Sequence, residues 1–154
     1  CNLACSASDC EVNCAGGSDC TVTTCLNGCE MSCSEDARCR FDECAAGCFL
    51  ECNGAVCEVG LCNGGCNMNC HAGRTCRIED CAAGGCHITP PEGETAAGRI
   101  MIIEDCGGVG SCVITCNAGD TCRFDACTGG GCILACAGGA TCTCSADDCT
   151  IYPL

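Results

Sequence analysis

The sequence has no tryptophan, a single tyrosine and three phenylalanines in 154 residues. An ordinary globular core relies on such large side chains, so a core of that kind is excluded. Positive charge is scarce too: 6 basic residues stand against 20 acidic ones, for a formal net charge of −14. Phosphate backbones and anionic bilayers would repel this chain, so no nucleic acid and no membrane partner is expected. Long hydrophobic runs are also missing. The longest stretch of large apolar residues, Ile100-Met101-Ile102-Ile103, is far short of the ~20 residues that span a bilayer, and no signal peptide remains. The chain reads as a mature, secreted form.

What is abundant is cysteine, with 29 residues, followed by glycine with 22. Nearly one residue in five being cysteine marks a disulfide scaffold. Such a scaffold persists in an oxidising, extracellular compartment.

The cysteines recur at four positions, a, b, c and d, with a period of about 19 to 20 residues. Cys10, Cys14, Cys20 and Cys25 form one complete unit, and later units open at Cys29, Cys48, Cys66, Cys86, Cys112 and Cys132, with a partial one at Cys149. Three residues separate a from b, the middle one apolar: Val12, Met31, Leu50, Met68, Ile88, Ile114, Leu134 and Ile151. The c-to-d segment carries its apolar residue second, as in Val22, Phe41, Val59, Ile78, Ile103 and Phe124. Cys-x-apolar-x-Cys is period-2 alternation, the mark of a short strand with cysteines and the apolar residue facing inward. The c-to-d segment has one residue too many for that parity, which predicts a bulge or turn early in it. Between these strands lie turn sequences such as Ala15-Gly16-Gly17-Ser18-Asp19, Asn63-Gly64-Gly65 and Thr128-Gly129-Gly130-Gly131.

Two short strands and two tight turns per unit describe one coil of an all-β, parallel β-solenoid, a single domain over residues 1–154 with a loop insertion at 91–100. About eight coils stacked at roughly 4.8 Å give a rod on the order of 38 Å long. In plan the repeat resembles the small disulfide-rich β-helices of beetle antifreeze proteins. The resemblance covers the repeat principle, and both period and surface motif differ.

The fifth unit tests the pairing. Pro90 occupies its b position and Met101 its c position, and the turn between them is the one that has lengthened. Loss of both cysteines together is what a b–c bridge predicts. The b–c pairs are then Cys14–Cys20, Cys33–Cys39, Cys52–Cys57, Cys70–Cys76, Cys116–Cys122 and Cys136–Cys142. The d–a pairs are Cys5–Cys10, Cys25–Cys29, Cys44–Cys48, Cys62–Cys66, Cys81–Cys86, Cys106–Cys112, Cys127–Cys132 and Cys144–Cys149, with Cys1 left over. Packed sheets lie about 10 Å apart, so only residues flanking a tight turn reach the 4.4–6.8 Å that a disulfide requires. The competing arrangement, bridges along one column such as Cys14 to Cys33, does not explain why Pro90 and Met101 occur together.

Chemistry is harder to find. The only histidines, His71 and His87, have no serine or carboxylate at a diagnostic spacing, and a disulfide lattice spares no thiol for catalysis, so an enzyme is not expected. No cofactor is expected either. Cys66-x3-Cys70-His71 misses the haem-attachment spacing by one residue, and the acidic residues form no calcium-binding repeat. A thiolate metal protein is one alternative, although Cys142-Thr143-Cys144 is the only closely spaced pair. Another is an ice- or mineral-binding face. The outward positions after c read Thr21, Arg40, Glu58, Arg77, Ile102, Arg123 and Thr143, which with Asp42, Glu79, Glu104 and Asp125 suggests a salt-bridge lattice more than an ice template. On the opposite face, Val113, Ile133 and Tyr152 are expected to be exposed and to form a lateral contact patch.

The ends carry the functional expectation. In repeat register, Cys149-Thr150-Ile151-Tyr152-Pro153 ends at b, and Cys1-Asn2-Leu3-Ala4-Cys5 begins at c. The last segment of one copy and the first of another would complete one coil, with Pro153 facing Cys1. The expected partner is therefore the chain itself, in a head-to-tail filament whose junction residues are Cys1, Leu3, Ile151, Tyr152 and Pro153. Two alternatives are a trimmed piece of a longer repeat protein and a lipid-modified Cys1.

Overall fold

The computed structural model describes residues 1–5, 10–129, 131–145 and 148–154; Gly130, in one of the turns named above, lies outside them. No helix forms among the described residues. The strands are β1 (Asn2–Cys5), β2 (Glu11–Cys14), β3 (Asp19–Cys25), β4 (Glu30–Cys33), β5 (Arg38–Cys44), β6 (Phe49–Cys52), β7 (Val56–Cys62) and β8 (Asn67–Cys70). They continue as β9 (Thr75–Cys81), β10 (His87–Thr89), β11 (Ile100–Cys106), β12 (Cys112–Cys116), β13 (Thr121–Cys127), β14 (Cys132–Cys136), β15 (Thr141–Cys144) and β16 (Cys149–Pro153).

Odd-numbered strands build one parallel sheet in the order β1-β3-β5-β7-β9-β11-β13-β15, and even-numbered strands build the second, from β2 to β16. The chain crosses from one sheet to the other at every turn, which makes a β-solenoid of about eight coils. Pairing is in repeat register: Cys20 lies beside Cys39, Val22 beside Phe41 and Cys25 beside Cys44. Met101 falls beside Cys76 and Cys122, which places it in the c column.

Inward residues form two opposed apolar columns between rows of cystine. Val22, Phe41, Ile78, Ile103 and Phe124 in the first sheet, and Met31, Ile88, Ile114 and Leu134 in the second, are fully buried. Each such side chain removed from water is worth about 1.5–3 kcal/mol. The core is therefore long and thin.

The irregularity in the c–d strands lies late, not early. The ladder runs Arg40↔Glu58 and Phe41↔Val59, then resumes at Glu43↔Leu61. Alternation is correct from c through the inward apolar residue. Two consecutive residues, here Asp42 and Glu43, must then share the outward side before the d cysteine turns back in. In β1 this extra residue is missing, and the register shifts between Leu3 and Ala4. A second departure is Cys144. It pairs with Phe124, in the apolar column, and not with the d cysteine Cys127. One residue follows Cys142 before it, so a cysteine arrives where the inward apolar residue normally stands.

The d–a corners demand glycine where coils touch. Gly84 has φ 73°, and a Cβ there would lie 2.3 Å from the carbonyl oxygen of Gly110 in the next coil.

Candidate functional site

The structure forms fourteen disulfides, six across b–c corners and eight across d–a corners, joining the pairs that the spacing predicts. Each bridge joins cysteines 4 to 6 positions apart in the sequence, as in Cys25–Cys29 and Cys70–Cys76. Sulfur atoms of neighbouring coils approach within 4.8 Å in sets such as Cys25, Cys29 and Cys48. Every sulfur in these sets is already bonded, so they offer no thiolate to a metal. Cys66 and Cys70 belong to two different bridges. Cys1 is free and exposed.

The outer face of the first sheet is an ion-pair lattice. Arg40 contacts Asp42 at 2.6 Å, Glu58 at 3.1 Å and Glu79 at 3.0 Å. To reach Glu79, two coils away, its guanidinium passes over Gly60, where a Cβ would meet Nη2 at 3.1 Å and the Asp42 carbonyl oxygen at 2.7 Å. Arg77 continues the lattice to Glu104 at 2.5 Å and to Glu58 at 3.6 Å. The hydrogen bond to Glu79 and then that to Asp42 raise the pKa of Arg40, and the same Arg40 bond lowers that of Glu79. Arg123 pairs with Asp125 at 2.6 Å.

The long loop encloses a group the spacing analysis did not single out. Arg99 is fully buried, with its guanidinium bonded to Asp120 at 3.1 Å, to Glu94 at 2.8 Å, and to the carbonyl oxygens of Cys70 at 2.7 Å and Ala96 at 2.5 Å. Asp120 also accepts the N–H groups of Arg99 and Asn117. Glu94 accepts the Ala72 N–H at 3.3 Å and lies 3.7 Å from Nδ1 of His71, whose Nε2 meets Glu51. Burial pushes the Glu94 carboxyl upward, but the bonds from Arg99 and Ala72 outweigh it and the net direction is down. A signal was present in the sequence: two residues before c, successive coils carry Arg74, Arg99 and Asp120 where other coils carry Ala37, Ala55 and Ala140. Opposite charge in adjacent coils at a small-residue position is a buried pair waiting to be recognised.

The ends are open. β1 and β15 are the edges of the first sheet, and β2 and β16 those of the second. Leu3 stacks on Val22 and Ile151 on Leu134, so both stand in the inward columns. Their exposures are 41% and 49%, against at most 7% for other large apolar members of those columns. Tyr152 points outward at 52%, and Pro153 lies beside Cys136 in the b column. The carbonyl of Cys1 accepts the Thr21 N–H at 2.7 Å, which fixes Cys1 at the c position. Val113 and Ile133 are half-buried, not exposed as expected, since neighbours in the same column cover part of each.

No family model, curated protein or solved structure matches the chain.

Proposed function

We propose that this chain is an extracellular structural protein whose copies stack head to tail into a disulfide-stabilised β-solenoid filament. The observation that carries the reading is the pair Leu3 and Ile151. Both are inward residues of columns that are otherwise dry, and each stands on an edge strand, β1 or β16. Continuing the observed register sets β16 of one copy beside β2 of the next, with Ile151 against Val12 and Pro153 against Cys14. On the other sheet β15 meets β1, with Cys142 against Cys1. Leu3 and Ile151 then face each other as the apolar pair of a shared coil.

The joint needs no new chemistry. It is strand addition on both sheets at once, and a stacking step that never closes on itself propagates. Proline at an edge normally blunts pairing. The same position is filled by Pro90 in an interior coil, where β10 stops at Thr89 and the ladder is shorter, yet β10 still stacks between β8 and β12. The dense disulfides supply the stability that a thin core lacks, and they suit an oxidising extracellular setting.

Electron microscopy of oxidised protein tests this. Long unbranched threads about one solenoid wide are expected, and Leu3→Lys/Ile151→Lys should leave only separate rods. Wild-type protein that stays as monodisperse rods on the order of 38 Å long would overturn the reading.

A further inference from the structure

The outer face of the second sheet changes character along the rod. Its first strands point Glu11, Glu30 and Glu51 outward. On β12, β14 and β16 the outward residues are Val113, Thr115, Ile133, Ala135, Thr150 and Tyr152, without a charge among them. These three strands also pair residue for residue, from Cys112↔Cys132 to Cys116↔Cys136 and from Cys132↔Cys149 to Cys136↔Pro153, with none of the skips that interrupt the first sheet. The result is a regular, uncharged, partly apolar platform on a chain of net charge −14.

We infer that this platform is a lateral contact, and that its occupant is the same platform on a neighbouring filament; the inference rests on the head-to-tail reading above. Charge selects the occupant. Two copies of so acidic a chain repel wherever their carboxylates approach. On this face the platform is the part without them, whereas β2, β4 and β6 carry Glu11, Glu30 and Glu51. Area sets the condition. Three strands at about 4.8 Å spacing, each about 17 Å long, present roughly 250 Å². A stable pair needs about 800 Å² per partner. Separate subunits therefore do not dimerise through it, whereas a filament repeats the platform once per subunit and reaches the threshold after three or four. Pairing side by side is a property of the polymer alone, and paired threads wind about each other at whatever pitch the solenoid twist imposes.

The experiment compares wild type with Val113→Asp/Ile133→Asp by electron microscopy of oxidised filaments. Wild-type filaments should run in pairs or bundles, and the variant should form single filaments of unchanged length, with the fraction of length in lateral contact at least tenfold lower. Val113→Thr/Ile133→Thr keeps β-branched residues in the strands and should reduce pairing by itself, which separates loss of contact from loss of folding. Thr143→Asp, on the opposite sheet, should leave pairing intact. Added salt should strengthen pairing by screening the acidic surfaces. Wild-type filaments that are always single, or pairs that persist in the Asp variant, overturn the inference and leave the head-to-tail reading standing. Absence of any filament overturns both.

Discussion

Arg99 and Asp120 form an ion pair closed to solvent, Nη1 to Oδ2 at 3.1 Å, at the corner where Pro90 and Met101 replace a cysteine pair. A covalent tie has been exchanged for an electrostatic one, and the inserted loop supplies the remaining partners. Asp120→Ala would leave the buried guanidinium with Glu94 as its remaining carboxylate partner. The loss should therefore cost at most the ~3–5 kcal/mol of a fully broken buried pair. The double variant Arg99→Met/Asp120→Leu should cost less than the two single changes summed, because neither charge is left alone. Denaturant unfolding with the disulfides intact measures all four proteins, and a cost under about 1 kcal/mol for Asp120→Ala would show that the pair is not needed.

Removal of one ordinary bridge should be milder. Cys70→Ala/Cys76→Ala opens a loop with a sequence separation of 6, which the chain-entropy model values at about 2 kcal/mol. The pair is buried, so the expected cost includes some lost packing as well. Complete reduction is a different matter. With every corner open, the thin apolar columns face the full conformational entropy of a glycine-rich chain, and the β-sheet circular dichroism signal should disappear at 25 °C.

Those two corners also show what was legible in the sequence. The cystine corners could be read because the repeat is its own control: where b is lost, c is lost with it. The inward columns followed from strict alternation after each cysteine. The late skip could not be placed so directly. Composition gives one surplus residue between c and d without saying which one the ladder omits, and only pairing between coils assigns it to Asp42 and its equivalents. Cys144 is bridged to Cys149 as expected, and only its register in the ladder, beside Phe124, was not legible, since a cysteine in an apolar slot looks like a cysteine in its usual one. The Arg99 network was hidden because its members, Cys70, Glu94, Arg99 and Asp120, are brought together by stacking and by a loop that follows no repeat.

Acid should loosen the loop and the lattice in a defined direction. The folded-state pKa values of Glu79 and Glu94 both lie below the ordinary 4.5. Their contribution is therefore complete above that value and is lost as pH falls through the lower, folded-state values. Acidification also relieves repulsion among the other carboxylates, so the wild-type melting curve mixes two effects. Comparison with Glu94→Gln isolates one. The melting temperature of the variant should lie below that of wild type at pH 7, and the gap should narrow as pH falls below the ordinary glutamate range. A gap that is constant with pH would mean that Glu94 acts by shape and not by charge.

Gly60 lies beneath the longest reach of the lattice. A methyl group there would lie 2.7 Å from the Asp42 carbonyl oxygen and 3.1 Å from the Arg40 guanidinium. The carbonyl is backbone and cannot swing aside as a side chain can, so Gly60→Ala should destabilise the protein by about 1–3 kcal/mol, the usual cost of overpacking. A matched Arg40→Ala/Gly60→Ala protein separates the two contacts. If the cost of Gly60→Ala vanishes in the Arg40→Ala background, the clash is with the side chain; if it persists, it is with the backbone.

The two ends of the rod are chemically different, and this makes polymer growth addressable one end at a time. An Ile151→Lys copy keeps its Leu3 end, so it can dock onto the exposed β15/β16 end of a wild-type filament and then present a charged surface to the next arrival. A Leu3→Lys copy does the same at the opposite end. Each single variant, added at a few per cent to wild type, should shorten the filaments by blocking one end. Leu3→Lys/Ile151→Lys can dock at neither and should leave their length unchanged. Both positions are already about half-exposed in the separate chain, so the lysines are tolerated by the fold and act on the joint. Length distributions from micrographs of the three mixtures check this. Each single variant by itself also distinguishes head-to-tail growth from a symmetric association. In head-to-tail stacking Ile151→Lys alone and Leu3→Lys alone stay monomeric and form dimers only when mixed, whereas a symmetric end contact would let each dimerise by itself.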